Sequence, residues 1–84
     1  MRIDVFGPGC AKCLRSADVA RGFLAAHSLV GEVVKHTSIE EMAERGILRT
    51  PTILVDGELV VEGRILRDSD LEAWMKQHGD LGGG

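Results

Sequence analysis

The chain has 84 residues, of which 44% are hydrophobic and 27% charged, the balance of one small folded domain rather than of a disordered segment. Ten basic and thirteen acidic residues leave a net charge of −3, aromatic residues are 4%, and no run of Lys or Arg occurs, which argues against a nucleic-acid partner. Apolar runs stop at three or four residues, too short for a membrane span, and the Asp in Met-Arg-Ile-Asp-Val-Phe interrupts what a signal peptide would keep apolar. The expectation is a cytosolic protein with no membrane partner.

Arg2–Phe6, with Ile3, Val5 and Phe6, reads as a first strand, broken by Gly7-Pro8-Gly9. From Ala11 to about His27, Leu14, Ala17, Ala20, Phe23 and Leu24 recur at helical spacing and are expected to face the core. Ser28–Gly31 is a loop and Glu32–Thr37 a second strand. Ser38-Ile39-Glu40-Glu41 is a capping box opening a short helix with Ile39, Met42 and Ala43 inward and Gly46 as its stop. Pro51 introduces an apolar, β-branched strand, Thr52–Val55. Asp56-Gly57 is a hairpin turn, and Glu58–Glu62 is the returning strand. After a loop at Gly63–Arg67, Ser69-x-x-Glu72 reads as a second capping box, opening a helix with Leu71, Trp74 and Met75 inward and ending at Gly79. Residues 1–79 are expected to form the domain and residues 80–84 a flexible glycine-rich tail. The order is βαβ-α-ββα, an α/β fold.

The two cysteines, Cys10 and Cys13, stand where the first strand turns into the first helix. A bridge between them would close a very short loop and constrain the unfolded chain little, so their spacing argues for chemistry over stapling. At i and i+3 the side chains share a helix face, with a Cα separation of about 5–6 Å that suits a disulfide. Cys10 lies at the helix N-terminus, where free N–H groups favour an anion, and Lys12 adds a positive charge nearby. Lowering a free thiol pKa of about 8.5 to about 7 would raise its thiolate fraction at neutrality from roughly 3% to about 50%. Cys10 would then attack a disulfide, and Cys13 would resolve the mixed disulfide.

The metal alternative is a copper(I) carrier that binds through the same C-x-x-C pair. Against it stand Pro8, where such carriers place Met, a helix after the second strand, and a C-terminal helix. His27, His36 and His78 are scattered and read as solvated or capping residues, so no metal ligand set is assigned. An incidental dithiol on a docking module is the third alternative.

Thr50-Pro51 precedes the third strand. A cis bond there would turn the Thr50 backbone toward the sulfurs as an edge for an extended substrate, whereas a trans proline would only start the strand. Asp4, six residues before Cys10, is either a proton acceptor for Cys13 or a surface carboxylate beside Arg2.

With Gly7-Pro8-Gly9-Cys10-Ala11-Lys12-Cys13, Thr50-Pro51-Thr52 and Val55-Asp56-Gly57-Glu58 in this order, the chain resembles the thioredoxin superfamily over about residues 2–78. It is most similar to small thioredoxin- or glutaredoxin-like redox proteins. The resemblance implies a four-stranded mixed sheet flanked by three helices, with the first strand central. It implies Cys10 as nucleophile, Cys13 as resolving thiol and Pro51 cis, with Thr50, Gly9 and Lys12 beside the substrate. It further implies a monomer with no cofactor, a protein disulfide as substrate and an upstream reductase as electron donor. Gly9 stands where thioredoxins carry Trp, and Ala11-Lys12 replaces their Gly-Pro.

Overall fold

The computed structural model describes residues 1–78; the expected stop at Gly79 and the tail at 80–84 lie outside the described residues. Four strands, β1 (Arg2–Phe6), β2 (Glu32–His36), β3 (Thr52–Val55) and β4 (Glu58–Glu62), alternate with α1 (Ala11–Ala26), α2 (Ile39–Glu44) and α3 (Asp68–His78). The sheet order is β2-β1-β3-β4. β1 runs parallel to β2 and antiparallel to β3, and β3 pairs antiparallel with β4. The four-stranded mixed sheet with three helices, and β1 inside it, is thus the observed architecture.

Period 2 divides β1 between two layers. Ile3 and Val5, with Ile53 and Val55 opposite them on β3, meet Ala17, Ala20 and Phe23 of α1 and Leu71 and Trp74 of α3 in one core. Each of the larger aliphatic and Phe side chains, fully buried, contributes about 1.5–3 kcal/mol. Asp4 and Phe6 take the other face, where Phe6 stacks on His36 and lies under the Arg45 guanidinium that follows α2.

Turn chemistry closes the elements. Asp56 and Gly57 both take positive φ, as a two-residue hairpin whose twist matches its strands requires. Ser38 Oγ accepts the Glu41 N–H, and α2 ends with Gly46 in the left-handed region (φ 73°), its N–H bonded to Ala43 O and that of Ile47 to Met42 O.

Three expectations need correction. Leu14 is 46% exposed, because it falls off the stripe of Cys13, Ala17, Ala20 and Leu24 that faces the sheet. In α2 only Met42 is buried; Ile39 and Ala43 are exposed, since a six-residue helix lays little more than one side chain on the sheet. Ser69 does not cap α3. The helix begins one residue earlier, and Asp70 instead reaches back to accept the Arg67 N–H at 2.8 Å. Asp70 also holds Arg64 through two hydrogen bonds, of 2.9 and 2.7 Å.

Candidate active site

The C-terminal end of β1 delivers the chain into Gly7-Pro8-Gly9, and Gly9 (φ 92°) makes the bend that sets Cys10 at the N-cap of α1. Gly7 continues the β1–β2 ladder past the end of β1, donating to His36 O at 2.9 Å. A Cβ built on Gly7 would fall on Cys13 Sγ and reach within 3.7 Å of Thr50 Cβ. The missing side chain therefore makes room for the second sulfur between β1 and the loop before β3.

Both cysteines are free; Cys10 is exposed and Cys13 buried. Their sulfurs are in hydrogen-bond contact at 2.7 Å. Donation from the Cys13 thiol is the largest influence holding Cys10 below the usual thiol range, followed by the backbone N–H groups of Cys13 and Lys12 at the start of α1. These hydrogen bonds, rather than the Lys12 ammonium, account for the lowering. Cys13 moves the opposite way: burial pushes its thiol up, and the hydrogen bond and negative charge of the Cys10 sulfur add to that. Adjacent thiols whose surroundings separate their proton affinities are what a nucleophile and a reserve thiol require.

The Thr50–Pro51 bond is cis. Pro51 O accepts the Gly63 N–H at 2.8 Å, which fixes the loop after β4 beside the one before β3. Gly9 directly precedes Cys10 in the chain and Lys12 directly precedes Cys13; both are exposed, and Thr50 is half-buried.

Asp4 is buried, 8% exposed, but among the described residues no hydrogen bond joins it to a sulfur. Its Oδ1 accepts from Arg2 Nε at 3.0 Å and faces His36 Nε2 at 2.8 Å, while His36 Nδ1 lies 3.2 Å from Glu41 Oε1. His36 is thus a bridge between β1 and α2, a role that sequence spacing did not single out. His78 faces Trp74 O and Glu58, and His27 packs against Phe23. Among the described residues no group of three or more His, Cys, Asp or Glu side chains could hold a metal ion.

A family model described as a thioredoxin domain matches residues 1–76. The chain belongs to the thioredoxin family. It is 29% identical over 72 residues to a thioredoxin of Methanothermobacter thermautotrophicus, covering 86% of this chain and 94% of that one. A thioredoxin of Methanocaldococcus jannaschii is also 29% identical, over 76 residues, covering 90% and 87%. The fold is that of reduced Escherichia coli glutaredoxin (TM-score 0.54, 23% identity, 96% of this chain and all of that one). It is likewise that of thioredoxin 1 from Thermosipho africanus (TM-score 0.56, 15% identity, 95% and all). Membership of this family, with the paired cysteines at the helix start, makes thiol–disulfide oxidoreduction the kind of activity this thioredoxin-family chain carries. No described helix is long and apolar enough to cross a membrane.

Proposed function

We propose that this protein reduces protein disulfides in the cytosol as a monomer, with Cys10 as nucleophile and Cys13 as resolving thiol. The observation that supports it is the hydrogen bond between an exposed and a buried sulfur, 2.7 Å apart at a helix N-terminus. The Cys10 thiolate attacks one sulfur of the substrate, whose S–S bond breaks and whose other sulfur leaves as a thiolate that takes up a proton. Cys13, once deprotonated, attacks Cys10 and expels the second substrate thiol, leaving a Cys10–Cys13 disulfide. The sulfurs already touch, so this closure calls for no rearrangement of the backbone.

Thr50 and Pro51 supply an edge for an extended substrate segment, with Gly9 and Lys12 flanking it. No cofactor enters the cycle; an upstream reductase returns the electrons. The Cys13 proton passes to solvent or to Asp4. Asp4→Asn tells these apart, because only the second route slows resolution in the variant.

Cys13→Ser provides the test. It should accumulate mixed disulfides through Cys10 when mixed with a disulfide protein, whereas Cys10→Ser should accumulate none. Trapping through residue 13 in Cys10→Ser, with none through Cys10 in the other variant, would reverse the assignment.

A further inference from the structure

Three segments meet at the dithiol end of the sheet: residues 7–16, 46–51 and 63–67. Hydrogen bonds tie them together, from Gly63 N–H to Pro51 O at 2.8 Å and from Leu66 N–H to Ser16 Oγ at 3.0 Å. These segments hold Lys12, Arg15, Arg49, Arg64 and Arg67, half of the ten basic residues in the chain, and not one Asp or Glu. The chain as a whole is nonetheless acidic, with a net charge of −3. Arg64 is engaged by Asp70. Lys12, Arg15, Arg49 and Arg67 are exposed and form no ion pair among the described residues.

At the far end of the strands stand Glu32, Asp56 and Glu58, with Arg2 opposite Glu32, while Glu62 closes β4 at the dithiol end, opposite Thr52. The three segments thus form a local basic patch around the sulfurs, bordered by Glu62 and Asp68. Exposed Leu14 and Leu48, at 46% and 92%, lie within the same three segments and add apolar contact area.

Resting on the dithiol reading above, we infer that this face docks protein segments in which the target disulfide is flanked by Asp and Glu residues. Exposed charges of this kind add little to affinity pair by pair, but they steer approach and reject like-charged partners, and salt screens them. The chemistry is one two-electron exchange: two protein thiols become one disulfide, and the peptide disulfide becomes two thiols carrying the two protons.

The test is single-turnover oxidation of the pre-reduced protein, quenched by alkylation. Three oxidants are compared: a peptide disulfide flanked by Glu, the same peptide with Lys at those positions, and neutral hydroxyethyl disulfide. At low salt the Glu peptide should react about tenfold faster than the Lys peptide, and the ratio should fall toward one as salt rises. In Arg49→Glu/Arg67→Glu the ratio should collapse or invert. Lys76→Glu, a charge reversal in the last turn of α3, should keep the preference, which separates a local surface from net charge. Equal rates for the two peptides at low salt, or a preference for the Lys peptide, would overturn the docking inference alone. Failure of all three oxidants to form the Cys10–Cys13 disulfide would overturn the dithiol reading and this inference with it.

Discussion

Gly7 and Cys13 fill one space: the volume that any side chain at Gly7 would take is occupied by the Cys13 sulfur, and the Cβ of Cys13 lies 3.0 Å from the position a Gly7 Cβ would have. The first strand therefore does more than lead into the reactive turn. By ending in a residue with no side chain while still bonded to His36 O, it leaves a seat from which the buried thiol can donate to the exposed one.

Gly7→Ala should displace that sulfur. Overpacking of this kind costs about 1–3 kcal/mol, readable as a lower urea midpoint. The more specific effect is on Cys10: with its main hydrogen-bond donor moved, its alkylation rate at neutral pH should drop, and the pH profile should move toward that of an ordinary thiol. An unchanged profile would mean that the Gly7 seat does not set the pairing of the sulfurs.

Donation from Cys13 can be removed or retained directly. The Cys10 pKa is lowered first by that hydrogen bond and then by backbone N–H groups. Cys13→Ala should therefore shift the midpoint of Cys10 alkylation to higher pH, while Cys13→Ser, which keeps a donor, should shift it less. The residual lowering in Cys13→Ala measures what the helix N-terminus contributes. Profiles in both variants that match wild type would assign the whole effect to the backbone.

Asp70 joins the start of α3 to the loop after β4, accepting from the Arg67 N–H and from Arg64. Asp70→Asn should lower stability by about 1 kcal/mol, the scale of losing a helix-capping carboxylate. Arg64 beside it holds the Asp70 carboxyl below its ordinary value. A depressed folded-state pKa stabilises above the unfolded value and is lost as pH falls through the folded one. Wild type and Asp70→Asn should thus converge in urea titrations carried into strongly acidic buffer, and a gap that stays constant would contradict this.

At the other end of α3, His78 lies between Trp74 O and Glu58, and the carboxylate raises its pKa above the usual imidazole value. A raised folded-state pKa contributes stability below the unfolded value that is lost as pH rises through the folded one. The stability of wild type minus that of His78→Gln should accordingly be larger near pH 6 than near pH 9. The reverse trend would show that the ion pair with Glu58 does not form in solution.

The element order was legible because each element carries its own punctuation. Gly-Pro-Gly, Ser38 with Glu41, Gly46, Asp56-Gly57 and the β-branched run after Pro51 act through local backbone geometry, which sequence spacing records. Which side of a helix is covered depends instead on where its neighbours lie. Leu14 and Ile39 fit a helical stripe in sequence, yet both are left exposed because the sheet lies elsewhere. Ser69 and Asp70 are both capable caps, and only the path of the loop from Gly63 decides for Asp70. The placement of Cys10 and Cys13 at the strand-to-helix turn was readable from spacing, whereas the cis Thr50–Pro51 bond was implied only by the family resemblance. The seat at Gly7 depends on how α1 packs back onto the end of β1, and the bridge Asp4–His36–Glu41 joins residues far apart in the chain through strand register, in which Phe6 pairs with His36, so neither was readable from spacing.

The most direct test is an equilibrium redox titration of the purified protein in glutathione buffers, read by mass after acid quenching and alkylation. A single reversible two-electron transition should appear, with both cysteines alkylated at the reducing limit and an intramolecular Cys10–Cys13 bond at the oxidising limit, at a potential within the range of about −180 to −280 mV spanned by dithiol exchange proteins. Two thiols that stay independently modifiable throughout, or that yield only glutathione adducts, would contradict the account.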